Sequence, residues 1–278
     1  MVIKKNNTKI YKTQIKDPNT SSIHKLYLIS HFKRLKRIRL TQIIIIVTFF
    51  LLWEFATFFD LLDSFVFSSP SRVVKTFISK ALDGSIFYHM GITLAETFLS
   101  FAIVGTVAIA TAILLWWNNS IAKILEPYLV VLNSLPKSAL APVFIVWLGN
   151  NMKTIIVCAV SVAVFASIIT LYTAFNSVEK DKIKLIKTLG GTKKDVLFKI
   201  VIPSNIPVIL SNMKVNIGAS LVGVIIGEFL AANAGLGYLI IYGSQVFQLD
   251  LVIMSIVILC IIASGLYYLL SLLEKRYG

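Results

Sequence analysis

The sequence predicts an all-α polytopic membrane protein with six transmembrane helices. Hydrophobic residues make up 57% of the 278 residues and charged residues only 14%, against about 25% charged in an ordinary soluble domain. The apolar residues come in runs of roughly 20, the length at which a helix crosses a hydrocarbon core of about 30 Å. Charged residues lie mainly between these runs, so the chain is expected to cross the membrane repeatedly.

The predicted spans form a transmembrane domain over residues 41–278, preceded by a basic tail over residues 1–40. The tail is polar and its first apolar run lacks a small-residue cleavage site, so we do not expect a cleaved signal peptide. Between the first two spans, apolar spacing predicts a short interfacial helix over 72–82. The six spans cover approximately 41–59, 91–117, 124–148, 153–175, 206–232 and 250–272.

The basic residues predict the orientation. With both termini in the cytoplasm, the inside segments carry 21 Lys and Arg and the outside segments with their edges carry four. Because cytoplasmic loops are enriched in Lys and Arg, this favours a multi-pass cell-membrane protein with both termini inside. The same loops explain the net charge of +14 without a nucleic-acid partner. The basic stretch 31–39 is expected to contact anionic membrane lipid.

The third span is predicted to be irregular because it contains Pro127, Pro136 and Pro142. Interior prolines remove backbone hydrogen bonds and kink helices. Broken helices at membrane depth occur where protein or a water-filled cavity surrounds them, as in transport pathways. Lys137 directly follows the central proline, so it could either face an anionic solute or satisfy freed carbonyl groups.

The fifth span carries a stripe of small and polar residues at helical spacing. Such a stripe predicts either a packing seam, which its GxxxG favours, or a face whose inner end touches water. The stripe consists of Asn212, Asn216, Ser220, Gly223, Gly227 and Ala231.

Few ionisable residues fall inside the spans, and each costs about 2.5–3.5 kcal/mol at a helix centre on insertion scales. Lys214 is close enough to the inner surface to snorkel, and Glu96 to the outer one. Glu54 has a structural or a functional role. Glu228 adjoins the stripe and is a candidate for gating, subunit contact or substrate binding.

The cytoplasmic segment 176–205 reads as two short helices around a glycine turn. The first covers Asp181–Leu189, and Gly190 or Gly191 can supply its left-handed cap. Thr192 and Asp195 have capping-box spacing for a second helix, which Pro203 is expected to end. This segment carries seven lysines among unpaired apolar residues, which suggests a docking site. The apolar residues that need a covering partner are Ile183, Ile186, Leu197 and Ile200.

Here the chain resembles a family. Gly190, nine residues and then Ile200-Val-Ile-Pro203 fit the cytoplasmic signature of permeases in binding-protein-dependent ABC importers, EAA-x3-G-x9-I-x-L-P. Lys184, Leu185 and Ile186 stand where Glu-Ala-Ala would be, and Ile202 replaces the Leu. Residues 135–149 and 227–240 resemble segments of the nitrate/sulfonate/taurine branch of these permeases.

The resemblance implies a non-catalytic transport subunit that works with other chains. Its partners would be a cytoplasmic ATP-binding subunit, an extracytoplasmic substrate-binding protein and a second permease subunit, as in a homodimer; no cofactor is implied. The chain has no G-x4-G-K-[ST] phosphate loop of its own, so ATP hydrolysis would belong to the partner. Residues expected to couple to the ATPase are Ile183, Lys184, Ile186, Leu189, Gly190, Gly191, Ile200 and Pro203. Residues expected to line or gate the substrate pathway are Lys137, Asn216, Ser220, Gly223, Gly227 and Glu228.

Two other functional classes are weaker alternatives. A secondary transporter without an ATPase would predict inverted repeats and intramembrane ion carboxylates, and the sequence shows no repeat. A membrane enzyme would need a nucleophile–base pair or metal-ligand spacing, and neither is evident. The resemblance implies a small solute, an anion or a vitamin precursor, and the apolar-lined helices do not decide among them.

Overall fold

The computed structural model describes residues 21–277, so the expectations for the first 20 residues lie outside the described part. Within it the chain is helical, with short turns and no strand. The helices are α1 (Ser22–Phe58), α2 (Ser64–Phe67), α3 (Pro70–Leu82), α4 (Ser85–Trp117), α5 (Asn119–Ser134), α6 (Lys137–Leu148), α7 (Met152–Asn176), α8 (Lys180–Thr188), α9 (Lys193–Val196), α10 (Ile202–Ser204), α11 (Ile206–Ala231), α12 (Leu236–Gln245) and α13 (Leu249–Tyr277).

Five of these helices are long and apolar enough to cross a membrane: the stretch of α1 from Ile29 onward, α4, α7, α11 and α13. The α5–α6 pair passes the same test as one bent element, which brings the number to six and agrees with the predicted six-span class. Between the fifth and sixth spans lies the ten-residue helix α12, for which the sequence analysis made no prediction.

The chain divides into two compact units, with the boundary after Ser71. In the first unit, α1 is one continuous helix of 37 residues, so the predicted span 41–59 is its second half. Trp53 Nε1 donates to Phe67 O at 3.3 Å, which ties α1 to the short helix α2.

The second unit is built around α7, which packs along both α4 and α11. Small residues make this approach possible, since Ala108, Ala159 and Ala163 are almost completely buried. One core cluster joins the C-terminal part of α4 to α7 and to Val196, Leu197 and Val201 of segment 176–205. Another joins α4 and α11 to α12 and α13. The segment 176–205 is therefore attached to the bundle by its own apolar core.

The third predicted span is broken, as its prolines suggested, and α5 and α6 meet at an angle of 96°. Pro136 marks the break. It follows Leu135, whose ψ of 139° is extended, as expected of a residue before proline. Pro127 lies inside α5 and Pro142 inside α6, so these two prolines do not interrupt their helices.

Candidate functional site

Segment 176–205, which we call the coupling element, turns at two glycines that are required for different structural reasons. Gly190 has a φ of +78°, a left-handed conformation that favours glycine. Gly191 N donates to Ile186 O at 2.9 Å, and a Cβ on Gly191 would lie 2.8 Å from that oxygen. The turn thus requires Gly190 for its backbone conformation and Gly191 for the space beside α8.

The predicted capping box is confirmed. Asp195 Oδ2 accepts from Thr192 N at 2.9 Å, and Thr192 Oγ1 accepts from Asp195 N at 3.4 Å. Asp195 also pairs with Lys199 at 2.7 Å. The hydrogen bond from Lys199, with those from Thr192, holds the pKa of the Asp195 carboxyl well below its ordinary value. The start of α9 is therefore fixed by charge-assisted hydrogen bonds.

The apolar residues expected to need a partner are largely covered by the chain itself. Leu197 is buried, Ile183 and Ile186 are half-buried, and all three pack with the core beneath the coupling element. The exposed apolar side chains are instead Leu185 (59% exposed), Leu189 (74%) and Phe198 (65%). Of the residues predicted as an apolar contact face, only Leu189 is free to meet a partner.

The second arm differs from the predicted helix that ends at Pro203. A π-helical turn over Leu197–Val201 is followed by α10, which includes Pro203. Pro203, which cannot donate a backbone hydrogen bond, lies in the first turn of α10 directly after this π-helical turn. Ile200 is half-buried, Pro203 is exposed, and Lys184 is exposed in a 3.7 Å ion pair with Asp181.

Lys193 fastens the coupling element to the end of α4. Its Nζ donates to Trp117 O and lies 5.6 Å and 5.3 Å from the ring centroids of Trp116 and Trp117. A lysine at a helix C-terminus complements the exposed carbonyl groups and the helix dipole. A movement of the coupling element would therefore act on α4 directly.

The stripe on α11 lies against α7, which is the geometry of a packing seam. Asn216 Oδ1 accepts from Ser167 Oγ at 2.5 Å. A Cβ on Gly223 would lie 2.5 Å from Ala159 Cα, and one on Gly227 would lie 2.9 Å from Ile155 Cα. These glycines are therefore required by the close approach of two backbones. Asn212, Ser220 and Ala231 are buried along the same helix.

Glu228 lies at the far end of that helix and is 1% exposed. Its Oε1 accepts from Thr93 Oγ1 at 2.7 Å and its Oε2 from Gly237 N at 2.5 Å. The backbone of the turn before α12 wraps around this carboxyl group, with Gly235 at a φ of +115°. We call this segment, residues 232–237, the carboxyl turn.

Two further side chains complete the network around Glu228. Thr93 Oγ1 accepts from Leu236 N at 2.8 Å, and His89 Nδ1 accepts from Gly235 N at 3.0 Å. Glu96, on the same face of α4, is also buried and interacts electrostatically with Glu228. The arrangement joins α4, α11 and α12 through one buried carboxyl pair.

Lys137 supports the broken span. Its Nζ donates to Leu132 O and Asn133 O, both at 2.6 Å, so it satisfies carbonyl groups freed at the end of α5. It also lies 5.9 Å from the centroid of the Phe165 ring, at the edge of an apolar cavity of about 520 Å³. Of the two roles considered for Lys137, the geometry favours the structural one.

The other intramembrane charges have local partners. Lys214, which was expected to snorkel to the inner surface, forms an ion pair with Glu274 of α13 at 2.6 Å. Glu54 accepts from Ser71 N at 3.0 Å and Ser71 Oγ at 2.7 Å. Both charges therefore have structural roles in the part of the chain that the structure describes.

The sequence did not single out Thr93, His89, Lys193 or Phe198. Thr93 and Glu96 are three residues apart on one helix face, and His89 precedes them by one turn. This spacing is the signal that could have grouped them. Nothing local to the sequence links them to Glu228, because that contact is made by the packing of α4 on α11.

Comparison with known proteins identifies the family. Residues 102–278 match the model of the family described as binding-protein-dependent transport system inner membrane component. The chain belongs to this family. It is an ABC importer permease subunit, and the resemblance stated from the coupling-element signature is confirmed.

Curated relatives are similar in sequence over 63% to 87% of the chain. A probable ABC transporter permease protein of Haemophilus influenzae is 26% identical over 242 residues, covering 87% of this permease and 98% of the relative. The formylaminopyrimidine transport permease protein ThiX of Halalkalibacterium halodurans is 29% identical, covering 63% and 69%. The taurine transport system permease protein TauC of Escherichia coli is 23% identical, covering 81% and 83%.

Solved structures give the same fold. A chain from the MetNI methionine ABC transporter in an inward-facing conformation superposes with a TM-score of 0.63 at 17% identity, covering 69% of this permease and 96% of that chain. A second crystal form gives a TM-score of 0.62 at 16% identity. Over the superposed 69% of the chain, the helix arrangement therefore resembles that of the methionine-transporter chain.

Proposed function

We propose that the permease forms the translocation pathway of an ATP-driven importer and is driven by a separate ATP-hydrolysing subunit that docks on the coupling element. The observation that carries this proposal is the exposure of Leu185, Leu189 and Phe198 on a turn that is otherwise fixed to the bundle. Leu185 and Leu189 are four positions apart and so lie on one side of the helix end, and large exposed apolar side chains are typical of interaction sites. In this arrangement both termini face the cytoplasm.

The chemistry around these three side chains fits a protein partner. Lys182, Lys184 and Lys187 lie on the same helix, α8, and are exposed. Exposed lysines steer an acidic partner and make association sensitive to ionic strength. The apolar side chains would then supply the buried contact once the two proteins meet.

Import also requires that the solute be delivered to the extracytoplasmic face of the permease and that a pathway through the membrane be enclosed. We propose that an extracytoplasmic binding protein delivers the solute and that two copies of the permease enclose the pathway. The names of the relatives mention a formylaminopyrimidine, aliphatic sulfonates and taurine. A small solute of this size range is the substrate we propose.

The decisive experiment changes the two glycines of the coupling element together, as Gly190→Val with Gly191→Val. A β-branched residue at a φ of +78° is strained, and a side chain at Gly191 would collide with Ile186. The expected result is a permease that inserts normally but loses co-purification of the ATPase and substrate-stimulated ATP hydrolysis in proteoliposomes.

The matched control is Gly218→Ala in α11, where a Cβ would meet nothing within 4 Å. This variant should behave like wild type. A second set, Leu189→Glu and Phe198→Glu, leaves the turn intact and should also abolish docking, whereas Thr188→Glu on the neighbouring exposed position should weaken it far less. Wild-type docking in the double glycine variant and in both glutamate variants would show that the ATPase binds elsewhere.

A further inference from the structure

Helix α3, which corresponds to the short helix predicted over 72–82, carries a stripe of exposed apolar side chains. The stripe consists of Val74, Ile78 and Leu82, which are spaced by four residues and so lie along one face of the helix. Their side chains are 56%, 51% and 85% exposed. A row of large exposed aliphatic side chains marks a contact surface, and the surroundings of α3 indicate which partner covers it.

Another side of α3 packs on the bundle. Val73 and Ala81 are half-buried and pack against the core cluster that includes Ile86 of α4 and Leu251 of α13. Ile86 and Leu251 lie in the first turns of two membrane-spanning helices. This side of α3 therefore belongs to the same core as α4 and α13.

Both ends of α3 lie where membrane-spanning helices begin. At the N-terminal end, Arg72 forms an ion pair at 3.0 Å with Asp250, in the first turn of α13. At the C-terminal end, a short turn joins Leu82 directly to Ser85, the first residue of α4. Arg72 and Leu82 are about 15 Å apart along the helix axis. Helix α3 therefore runs along the surface of the membrane domain from α13 to α4, and does not stand out from it.

The side chains of α3 divide its circumference into three sectors. Besides the sector packed on the core and the apolar stripe, there is a polar sector formed by Arg72, Lys75 and Ser79, all of them exposed. At about 100° per residue, each sector covers roughly a third of the circumference. A helix in a membrane interface beside other helices needs these three surfaces, because it faces protein, acyl chains and the hydrated headgroups at once. A helix that faced only protein and water would not need the stripe.

We propose that α3 is bound to the membrane interface, with Val74, Ile78 and Leu82 inserted at the boundary between lipid headgroups and acyl chains. Amphipathic helices of this kind bury their apolar face about 5–10 Å into that boundary. Lys75 lies on the adjoining polar sector, where a long side chain can reach the headgroup phosphates. Tyr88, exposed in the first turn of α4, is of a residue type that is enriched at the same level of a membrane.

This contact fixes one end of the bundle to the bilayer. Helix α3 is joined to α4 by a short turn and to α13 by the ion pair between Arg72 and Asp250. A change in the depth of α3 therefore acts on both helices, at the end of α4 remote from Trp117, where the coupling element is attached. The inference goes beyond the proposed transport function, because the partner is lipid and no ATPase is required.

The test uses nitroxide spin labels on α3 and measures their collisions with oxygen, which concentrates in the acyl chains, and with a water-soluble nickel chelate. The two native cysteines are first removed by Cys158→Ala and Cys260→Ser. Single labels are then attached at Ile78→Cys, at Ser79→Cys on the polar sector and at Val73→Cys on the packed sector. The permease is reconstituted alone in phosphatidylcholine bilayers. We expect the ratio of oxygen to nickel collisions to be severalfold higher for Ile78→Cys than for its neighbour Ser79→Cys, and both collision rates to be low for Val73→Cys.

Val74→Cys and Leu82→Cys guard against a local disturbance by the label at Ile78, and both should give the same high ratio. Each labelled permease must elute and unfold thermally like the cysteine-free protein. Stripe labels that meet the nickel chelate as readily as Ser79→Cys would overturn the inference, because the stripe would then be open to water and suited to a soluble protein. Stripe labels that are shielded from both reagents, as at Val73→Cys, would also overturn it, because a second copy of the permease would then cover the stripe.

Discussion

The coupling turn at Gly190–Asp195 and the carboxyl turn at residues 232–237 both depend on a glycine with positive φ, but the first glycine is open to solvent and the second is closely surrounded by other atoms. Each contains a glycine in a left-handed conformation, Gly190 at +78° and Gly235 at +115°. A Cβ on Gly190 would meet nothing within 4 Å, whereas one on Gly235 would lie 2.6 Å from Glu228 Oε2. One turn leaves apolar side chains exposed, and the other encloses a buried carboxyl group.

The difference indicates how each end of the bundle is used. The coupling turn packs on one side against the apolar core and is attached to α4 by Lys193. Its other side is exposed. At the carboxyl turn the side chain of Glu228 organises the backbone, because Gly237 N bonds to it directly. We therefore expect the coupling turn to tolerate changes to its exposed side chains and the carboxyl turn to tolerate almost none.

The largest effect is expected for Glu228→Ala. The substitution leaves the Thr93 hydroxyl and the Gly237 N–H without the acceptor that Glu228 provides in a buried site. Each stranded group costs about 1–3 kcal/mol, so the apparent melting temperature of the purified permease should fall sharply. Glu228→Gln keeps the shape and an acceptor oxygen and should lose less. Equal melting temperatures for Glu228→Ala and wild type would show that the carboxyl turn does not depend on this side chain.

A matched pair of glycine substitutions tests the comparison directly. Gly190→Ala introduces only backbone strain, about 1–2 kcal/mol for a left-handed residue. Gly235→Ala adds a collision with the Glu228 carboxyl group, so its loss of stability should be clearly greater. Thermal unfolding of the two variants in the same detergent gives the difference. A Gly190→Ala variant that is as unstable as Gly235→Ala would remove the distinction between an open turn and a filled one.

The parts of this architecture that the sequence predicted are those set by local patterns. The apolar runs predicted the membrane spans, the spacing of Thr192 and Asp195 predicted the capping box, and the two glycines predicted the turn. Pro136 was one of three candidates for the break in the third span, since a proline within a helix can also be accommodated, as Pro127 is. The helix α12 was missed because it is only ten residues long and lies in a segment that contains polar residues and glycines.

The contacts between distant segments could not be predicted from one sequence. Leu197 is buried and Phe198 is exposed, although both are apolar neighbours in the same arm, because the core beneath covers only one side of it. Similarly, Glu228 meets Thr93 across 135 positions of the chain. Such pairs depend on how α4, α7 and α11 pack, and no local spacing specifies that.

A smaller effect is expected for Lys193→Met. The variant loses a hydrogen bond to the end of α4 and two cation–π contacts, each worth about 0.5–1 kcal/mol at an exposed site. Hydrogen exchange of the amides in the coupling turn should become faster while that of the carboxyl turn stays unchanged. Lys194→Met is the control, since no comparable contact of Lys194 is found in the described part of the chain. Faster exchange at both turns would mean that they do not behave as separate regions.

The smallest effect is expected for Asp195→Asn, and it should depend on pH. The folded-state pKa of Asp195 is lowered by its hydrogen bonds from Lys199 and Thr192, so its stabilising contribution is present above the unfolded pKa. That contribution is lost as the pH falls through the lower folded pKa. Asparagine cannot form the ion pair with Lys199. At pH 7 the amides of α9 should therefore exchange slightly faster in Asp195→Asn than in wild type. The difference should shrink as the pH is lowered below the ordinary carboxyl value of 3.8, after correction for intrinsic exchange rates. A difference that stays constant over this range would show that the two acceptor oxygens of Asp195, and not its charge, fix the start of α9.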